Sequence, residues 1–535
     1  MTIRINNIRV PLEEIDSLKY LTSRKISVDL DDIKDFKIVK ESIDARRKSR
    51  IDFIYSVELS IDDDESAFVE KLHDADVILS KPRAGLKIEY GTERLPDRPI
   101  IIGSGPAGLF AGLILAKNGY NPVIYERGKS VEERSKIVKS FWRDGDFDPE
   151  CNVQFGEGGA GTFSDGKLTT RIKDERCKTV LDEFIRCGAP PEIAYDYKPH
   201  IGTDMLKSVI ANIRKKITAM GGEVRFSSKL TDIKIKDGSI VGITINDNEY
   251  ISCQVLVLAL GHSARDTFEM LMKKGTMLSS KAFAVGFRIE HNQRMIDLAQ
   301  YGKFANHPKL RAATYTLAYQ SKRYNRPCYT FCMCPGGVVV AAASEDKRLV
   351  TNGMSEYARD GENANSAVVC GVRPEDFKGE GPLAGIEFQR MLEERAYNLG
   401  KGEFKAPVQK AVDFINNKVT STVGRVKPTY TRGYTLADLN DCLPEELCAV
   451  IKEGLLAFDG KIKGFCSKDA ILTAVETRTS SPVRIERNKT TYESLNIAGL
   501  YPAGEGAGYA GGIVSAAVDG IKVSEQIMKS YAPMK

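Results

Sequence analysis

The stretch PIIIGSGPAGLFAGLILAKNGYNPVIYE, residues 99–126, constrains this chain more than any other. Pro99–Ile102 reads as a short apolar strand. Gly103, Gly105 and Gly108 follow as GxGxxG, an apolar helix comes next, and NPVIYE reads as a second strand ending in Glu126. A bare GxGxxG says little, but this one has a strand before it, a helix after it and an acidic residue closing the next strand, the pattern of a dinucleotide-binding βαβ unit. Gly103 makes the tight turn, Gly105 leaves room for backbone to approach a pyrophosphate, and Gly108 lets the helix pack close to the strand. Ser104, Pro106 and Ala107 complete a turn whose helix N-terminus offers free N–H groups and a partial positive charge to phosphate. Glu126, with Arg127 beside it, stands where ribose hydroxyls would lie. Such a unit implies an α/β fold around a parallel sheet.

The 535 residues exceed one core, at roughly 100–200 residues per domain. Residues 1–90 are charged and poor in glycine; their order, βαββαβ with a last strand near LKIEY, predicts an N-terminal ferredoxin-like α+β module. Its predicted hairpin tip, Ala45–Arg50, is a basic cluster, read either as a solvated end or as a nucleic-acid contact. Residues 91–98 have linker composition. Residues 99–280 with 481–535 are expected to form a Rossmann-like domain, and 281–480 an inserted α+β substrate domain. The 77 basic and 72 acidic residues nearly balance, which by itself implies neither a nucleic-acid nor a membrane partner. The start of the chain lacks a signal-peptide pattern, and no apolar run reaches the roughly 18 residues of a membrane span. With eleven scattered cysteines, this reads as a cytoplasmic chain of reduced thiols.

The chain holds one such fingerprint and shows a second glycine-rich strand–turn–helix at GLYPAGEGAGYAGGIVSAAVDG, residues 499–520. This return resembles the FAD-binding fold of the glutathione-reductase type. That resemblance implies FAD, with Gly504 and Glu505 on the ribityl side, and Gly511, Gly512 and Ile513 at the pyrimidine side of the ring. It also places the backbone of Leu230 near the adenine, and the small-residue turn Ala259-Leu260-Gly261 over the nucleotide. Residues 152–171, NVQFGEGGAGTFSDGKLTTR, fit a loop crossing the pyrophosphate and one ring face. Gly158, Gly159, Ala160, Gly161, Thr162, Ser164 and Lys167 are its candidate contacts. Ser263 reads as a helix cap in SARD.

With KPHIGTD, LALGHSARDTF, FAVGFRIEH, FCMCPGGVVV and ETRTSSPVRI, these blocks resemble the bacterial FAD-dependent dehydrogenases, often labelled NAD(P)/FAD-dependent oxidoreductases, over nearly the whole chain. The resemblance implies non-covalent FAD and a redox role, but no substrate. NAD(P)H is a candidate transient donor or acceptor. His200, His262 and His291 lie in these blocks and are candidate acid–base groups.

Cys332 and Cys334 precede Pro335-Gly336-Gly337, which predicts a β-hairpin turn. No partner CxxC or histidine pair supports a metal. The two cysteines read first as small residues on one strand face, with a redox pair as the alternative. The favoured function is an FAD-dependent oxidoreductase passing hydride between a small substrate and flavin N5. The alternatives are a flavin-dependent RNA-associated modification factor and a non-catalytic flavin sensor or scaffold.

Overall fold

The computed structural model describes residues 2–80, 85 and 87–534. The fingerprint forms strand Ile100–Ile102, helix Pro106–Lys117 and strand Val123–Tyr125. Every residue of both strands is buried, so they run apolar without alternation, as strands covered on both faces do. They sit in a five-stranded parallel sheet in the order Leu500–Pro502, Leu256–Leu258, Ile100–Ile102, Val123–Tyr125, Glu223–Arg225. The C-terminal part of the chain thus supplies an edge strand, and helix Ile513–Ser530 follows from it. This helix packs on Pro106–Lys117 through small residues: Ser524 Oγ donates to the Ala111 carbonyl at 3.1 Å, and a Cβ at Gly520 would lie 2.1 Å from the Ala107 oxygen. A three-stranded antiparallel meander, Leu230–Lys236, Ser239–Ile245 and Glu249–Ser252, flanks the sheet. This is a mixed α/β, Rossmann-like fold.

Residues 283–476 build a seven-stranded mixed sheet with Phe283–Asn292 at its centre, between Asn363–Val372 and Ile471–Glu476. Helices Ala384–Leu399 and Glu445–Lys461 add apolar residues to its core. The expected hairpin at Pro335-Gly336-Gly337 does not form. Arg326–Cys334 pairs with Ala318–Ser321 and Asn363–Val372 in the large sheet, whereas Val338–Ala341 pairs only with Thr351–Met354. The glycine turn therefore hands the chain from one sheet to another.

At the N-terminus, strands Thr2–Pro11, Ile33–Asp44, Asp52–Ile61 and Val77–Ser80 form an antiparallel sheet in which the first strand lies between the third and fourth. The last strand is Val77–Ser80, not LKIEY: residues 87–90 form no strand, and Leu86 lies outside the described residues. Alternate burial along Thr2–Pro11 explains the choice, since Ile3 and Ile5 face the core against Leu79 and Val77. At the basic tip, Arg46 is held by Asp44 at 2.7 Å and Arg50 by Asp52 at 2.8 Å. Among the described residues no helix is long and apolar enough to cross a membrane.

Candidate functional site

A cavity of about 1500 Å³ opens between the parallel sheet and the seven-stranded sheet. It exceeds the roughly 300–1,000 Å³ of ordinary ligand pockets, which leaves room for a dinucleotide and a second small molecule. From the fingerprint, Gly103, Gly105, Pro106 and Ala107 line it. Gly103 has φ 99°, and a Cβ there would lie 2.4 Å from the Ala259 oxygen. Gly108 stands behind the lining; its Cβ would meet the Gly103 oxygen at 1.9 Å, so only glycine lets the helix start this close to the turn. Helix Pro106–Lys117 has Gly105 at its N-cap and no side-chain cap. Helix Ile513–Ser530 begins at Gly512, also without a side-chain cap, and Gly511, Gly512 and Ile513 line the same cavity. Two helix N-termini thus open onto one space, an arrangement that favours anionic groups at both.

Glu126 lines the cavity, yet its carboxylate is occupied by the protein. Oε2 accepts from Ser104 N at 2.9 Å and Ser104 Oγ at 2.8 Å; Oε1 accepts from Gly128 N at 2.9 Å and Gly156 N at 3.0 Å. Four donors fill the four acceptor positions of a carboxylate. The residue expected at ribose hydroxyls instead ties the fingerprint turn, the end of the second strand and the glycine-rich loop together. The loop is further wrapped around Arg134, a fully buried residue of helix Val131–Asp144. Its guanidinium donates to the carbonyls of Asn152 (2.9 Å), Val153 (2.8 Å), Glu157 (2.6 Å) and Gly159 (3.0 Å). Burial holds Arg134 down to about 10. Gly159, Ala160, Gly161 and Ser164 consequently line the cavity, while Gly158 and Thr162 lie behind, Gly158 N donating to the Ser104 carbonyl at 2.8 Å. Leu230, Ala259, Gly261, Arg127 and Glu505 line it as well. Arg127 is clamped by Asp266 and Glu150 over the ring of Phe155. Gly504 is set back, its N–H donating to Asp519 at 2.7 Å.

The other end of the cavity is cationic. Lys167 donates to the Met333 carbonyl, and Asp165 lies 3.9 Å away with its carboxylate committed to Arg359 and Ser355. Lys198, whose side chain is exposed, donates from Nζ to the Thr314 hydroxyl at 2.9 Å, and partial desolvation with the charges of Lys167 and Arg359 lowers its pKa. Cys332 lines this end; Cys334 is fully buried behind it. They do not share a regular strand face, because the register breaks between Phe331 and Cys334 and Cys332 takes φ 43°.

Of the three histidines, His262 lines the cavity, with Nδ1 3.1 Å from Glu505 Oε1. His200 borders a separate cavity of about 590 Å³, its Nε2 at 3.0 Å from the Tyr357 carbonyl. His291 is buried in the core of the large sheet, bonded to the Phe465 carbonyl at 2.7 Å. Burial lowers both His200 and His291 to about 4, so each is a neutral imidazole near pH 7. Ser263 is not a cap: helix Arg265–Lys273 starts after Ala264, and Ser263 Oγ instead donates to Gln154 and accepts from Arg478.

Residues 282–479 match the family model described as FAD-dependent protein, C-terminal domain-like, and residues 2–60 match a domain of unknown function. A protein of Clostridium beijerinckii recorded as uncharacterized is 53% identical over 532 residues, 99% of each chain. The chain belongs to the same family as this protein, and its residues 282–479 carry the FAD-dependent C-terminal domain. A thiamine thiazole synthase of Pyrococcus furiosus is 25% identical over 189 residues, covering 33% of this chain and 61% of that one. Among solved structures, CtdE in complex with FAD aligns over 82% of this chain and 86% of its own, at 10% identity and a TM-score of 0.31.

FAD is the cofactor of this flavoprotein. The residues present fit it: a cradle of glycines whose Cβ atoms would fill the space, and two uncapped helix starts at one cavity. Sequence reasoning missed Arg134, because RSKIVKS reads as a solvated helix face; the one signal was its place just before a glycine-rich loop whose carbonyls need a donor. Gly108→Ala is expected to cost about 1–3 kcal/mol by overpacking and to lower the flavin content of the flavoprotein. The ratio of flavin to protein absorbance and the urea midpoint check this.

Proposed function

We propose that this flavoprotein is an oxidoreductase, a dehydrogenase that moves hydride between a small anionic substrate and FAD. One observation carries the reading: a single cavity joins the dinucleotide cradle to a cationic end under the large sheet, where Lys198 faces a neutral hydroxyl. Bound FAD supplies two-electron chemistry at its N5. The start of helix Ile513–Ser530 favours negative charge at the Gly511–Ile513 turn. Lys167 and Lys198 hold and orient the substrate anion. His262, oriented by Glu505, is the acid–base group among the three candidates, since it lines the cavity. On this reading the FAD segments are arranged as in the glutathione-reductase type, residues 281–480 are an inserted substrate domain, and the N-terminal module is ferredoxin-like.

The test is an anaerobic titration of the purified flavoprotein with NADH, NADPH and a panel of small carboxylates, following the oxidised flavin band. Rapid bleaching by a carboxylate is expected. Lys198→Ala should then raise the half-saturating concentration about tenfold or more, the loss of one charge-assisted hydrogen bond, with flavin content unchanged. Bleaching that is equally sensitive to neutral analogues would overturn the anionic assignment.

A further inference from the structure

We propose that Cys332 and Cys334 form a redox-active dithiol that exchanges an electron pair with FAD. In a regular strand, residues two apart rise by about 6.6 Å, too far for their thiols to meet. Here a bulge sets the three steps from Phe331 to Cys334 against two on the neighbouring strand, Ala367 to Asn365, and the left-handed backbone of Cys332 shortens the separation of the two cysteines. The Cys334 thiol reaches the Cys332 carbonyl at 3.3 Å, which brings the two side chains to the same spot. A left-handed backbone at a non-glycine residue persists only where its surroundings enforce it, and such residues cluster at functional sites.

Placement gives each sulfur a different part. Cys332 lines the cavity that the Gly511–Ile513 turn also lines, so it is the thiol that meets solutes. Cys334 is fully buried, and a Cβ at Gly353 would lie 2.9 Å from its sulfur, so the space around it is closed on that side. The neighbouring Cys334 thiol, then Lys167 and Arg288, lower the pKa of Cys332 against the opposing effects of burial and Asp165. Arg288 also donates to the Cys332 carbonyl at 2.8 Å. By contrast, burial pushes Cys253 and Cys370 up to about 12. A reactive cysteine needs an electropositive, accessible setting, and Cys332 has it.

In the step, both S–H bonds break and one S–S bond forms. The two thiols together lose two electrons and two protons. The electrons and one proton pass to oxidised FAD, and the second proton leaves to solvent. The reverse reaction opens the disulfide, so the pair stores a second electron pair beside the cofactor. The proposal rests on FAD and this cavity, not on the identity of the small substrate, and its test uses none.

Air-equilibrated holoprotein, made anaerobic, is titrated with dithionite. The wild type is expected to take up about four electrons per FAD, two for the flavin and two for the disulfide, against about two for Cys334→Ser. Before titration, the alkylated, non-reduced peptide carrying both cysteines should be two hydrogens lighter and free of label. Anaerobic dithiothreitol should bleach the wild-type flavin and leave that of Cys334→Ser oxidised. Uptake of two electrons by the wild type, or equal alkylation of Cys332 and Cys334 in the oxidised holoprotein, would overturn the proposal. The wild-type electron count and peptide mass decide it even where the variant does not fold. A negative result here leaves the substrate titration of the proposed function untouched.

Discussion

Glu126→Ala is expected to yield protein almost free of FAD and markedly less stable even without it. The carboxylate accepts from Ser104 N, Ser104 Oγ, Gly128 N and Gly156 N, and both Glu126 and Ser104 are buried. Alanine removes all four acceptor positions at once. The Ser104 hydroxyl can turn elsewhere, but three backbone N–H groups cannot, and each orphaned buried donor costs about 1–3 kcal/mol. The sum is several kcal/mol in a domain whose whole stability is about 5–15 kcal/mol. The same substitution frees the fingerprint turn from the glycine-rich loop, and these two segments pack against each other in the lining of the cradle. FAD affinity should fall at least about 100-fold, equivalent to about 2.7 kcal/mol. Glu126→Gln should be milder: the amide keeps one oxygen for Gly128 and Gly156, and turns its NH₂ toward Ser104, where the hydroxyl can accept. Two measurements decide the matter, the FAD dissociation constant and the urea unfolding of the apoprotein. If FAD binding falls but the apoprotein unfolds as before, Glu126 serves only a nucleotide contact and the loop-pinning account is wrong.

What the sequence revealed follows a physical division. The segment 99–126 was legible because a strand, three spaced glycines, a helix and an acidic strand end each have a local cause, and all agree. The C-terminal return was legible for the same reason, since Gly511 and Gly512 precede an apolar helix with nothing else to cap it. Partner choice was not legible. Pro335-Gly336-Gly337 is a genuine turn, but a turn does not say that the strands it joins will pair, and here they go to different sheets. The cysteine bulge is equally silent, because one inserted residue leaves the β-rich composition unchanged. The histidines show a third limit. His291 sits in a strand buried along nearly its whole length, so its neighbours look the same whether it faces a cavity or a core carbonyl. Buried charge was the hardest to read: EFQRMLEERAYNLG has the charge pattern of a solvated helix, although Glu393 is fully buried.

Glu393 carries the second large expected effect. It belongs to helix Ala384–Leu399 and accepts from Arg265 Nη2 at 2.7 Å, Arg478 Nε at 3.0 Å and Thr477 Oγ1 at 2.7 Å. Arg265 opens the helix that follows the parallel sheet strand Leu256–Leu258, whereas Arg478 follows strand Ile471–Glu476 of the large sheet. One buried carboxylate therefore holds a guanidinium from each side of the cavity. Arg265 keeps a second carboxylate in Glu345, but Arg478 keeps only the hydroxyls of Ser263 and Ser344. Glu393→Ala thus strands a buried charge, and breaking such a pair from one side costs about 3–5 kcal/mol. Burial opposes the charged carboxyl, but Arg265 and Arg478 outweigh it and hold Glu393 well below the usual carboxylate range. A group with a depressed folded pKa contributes its stability above its unfolded pKa, about 4.3, and loses it as pH falls toward the folded value. The stability gap between wild type and Glu393→Ala should therefore be flat from about pH 6 to 8 and narrow below about pH 4. Urea midpoints measured across that range check both the size and the slope. A gap that widens in acid would mean that the carboxyl is protonated in the folded protein, and the bridge between the two sheets would then be a neutral hydrogen bond rather than an ion pair.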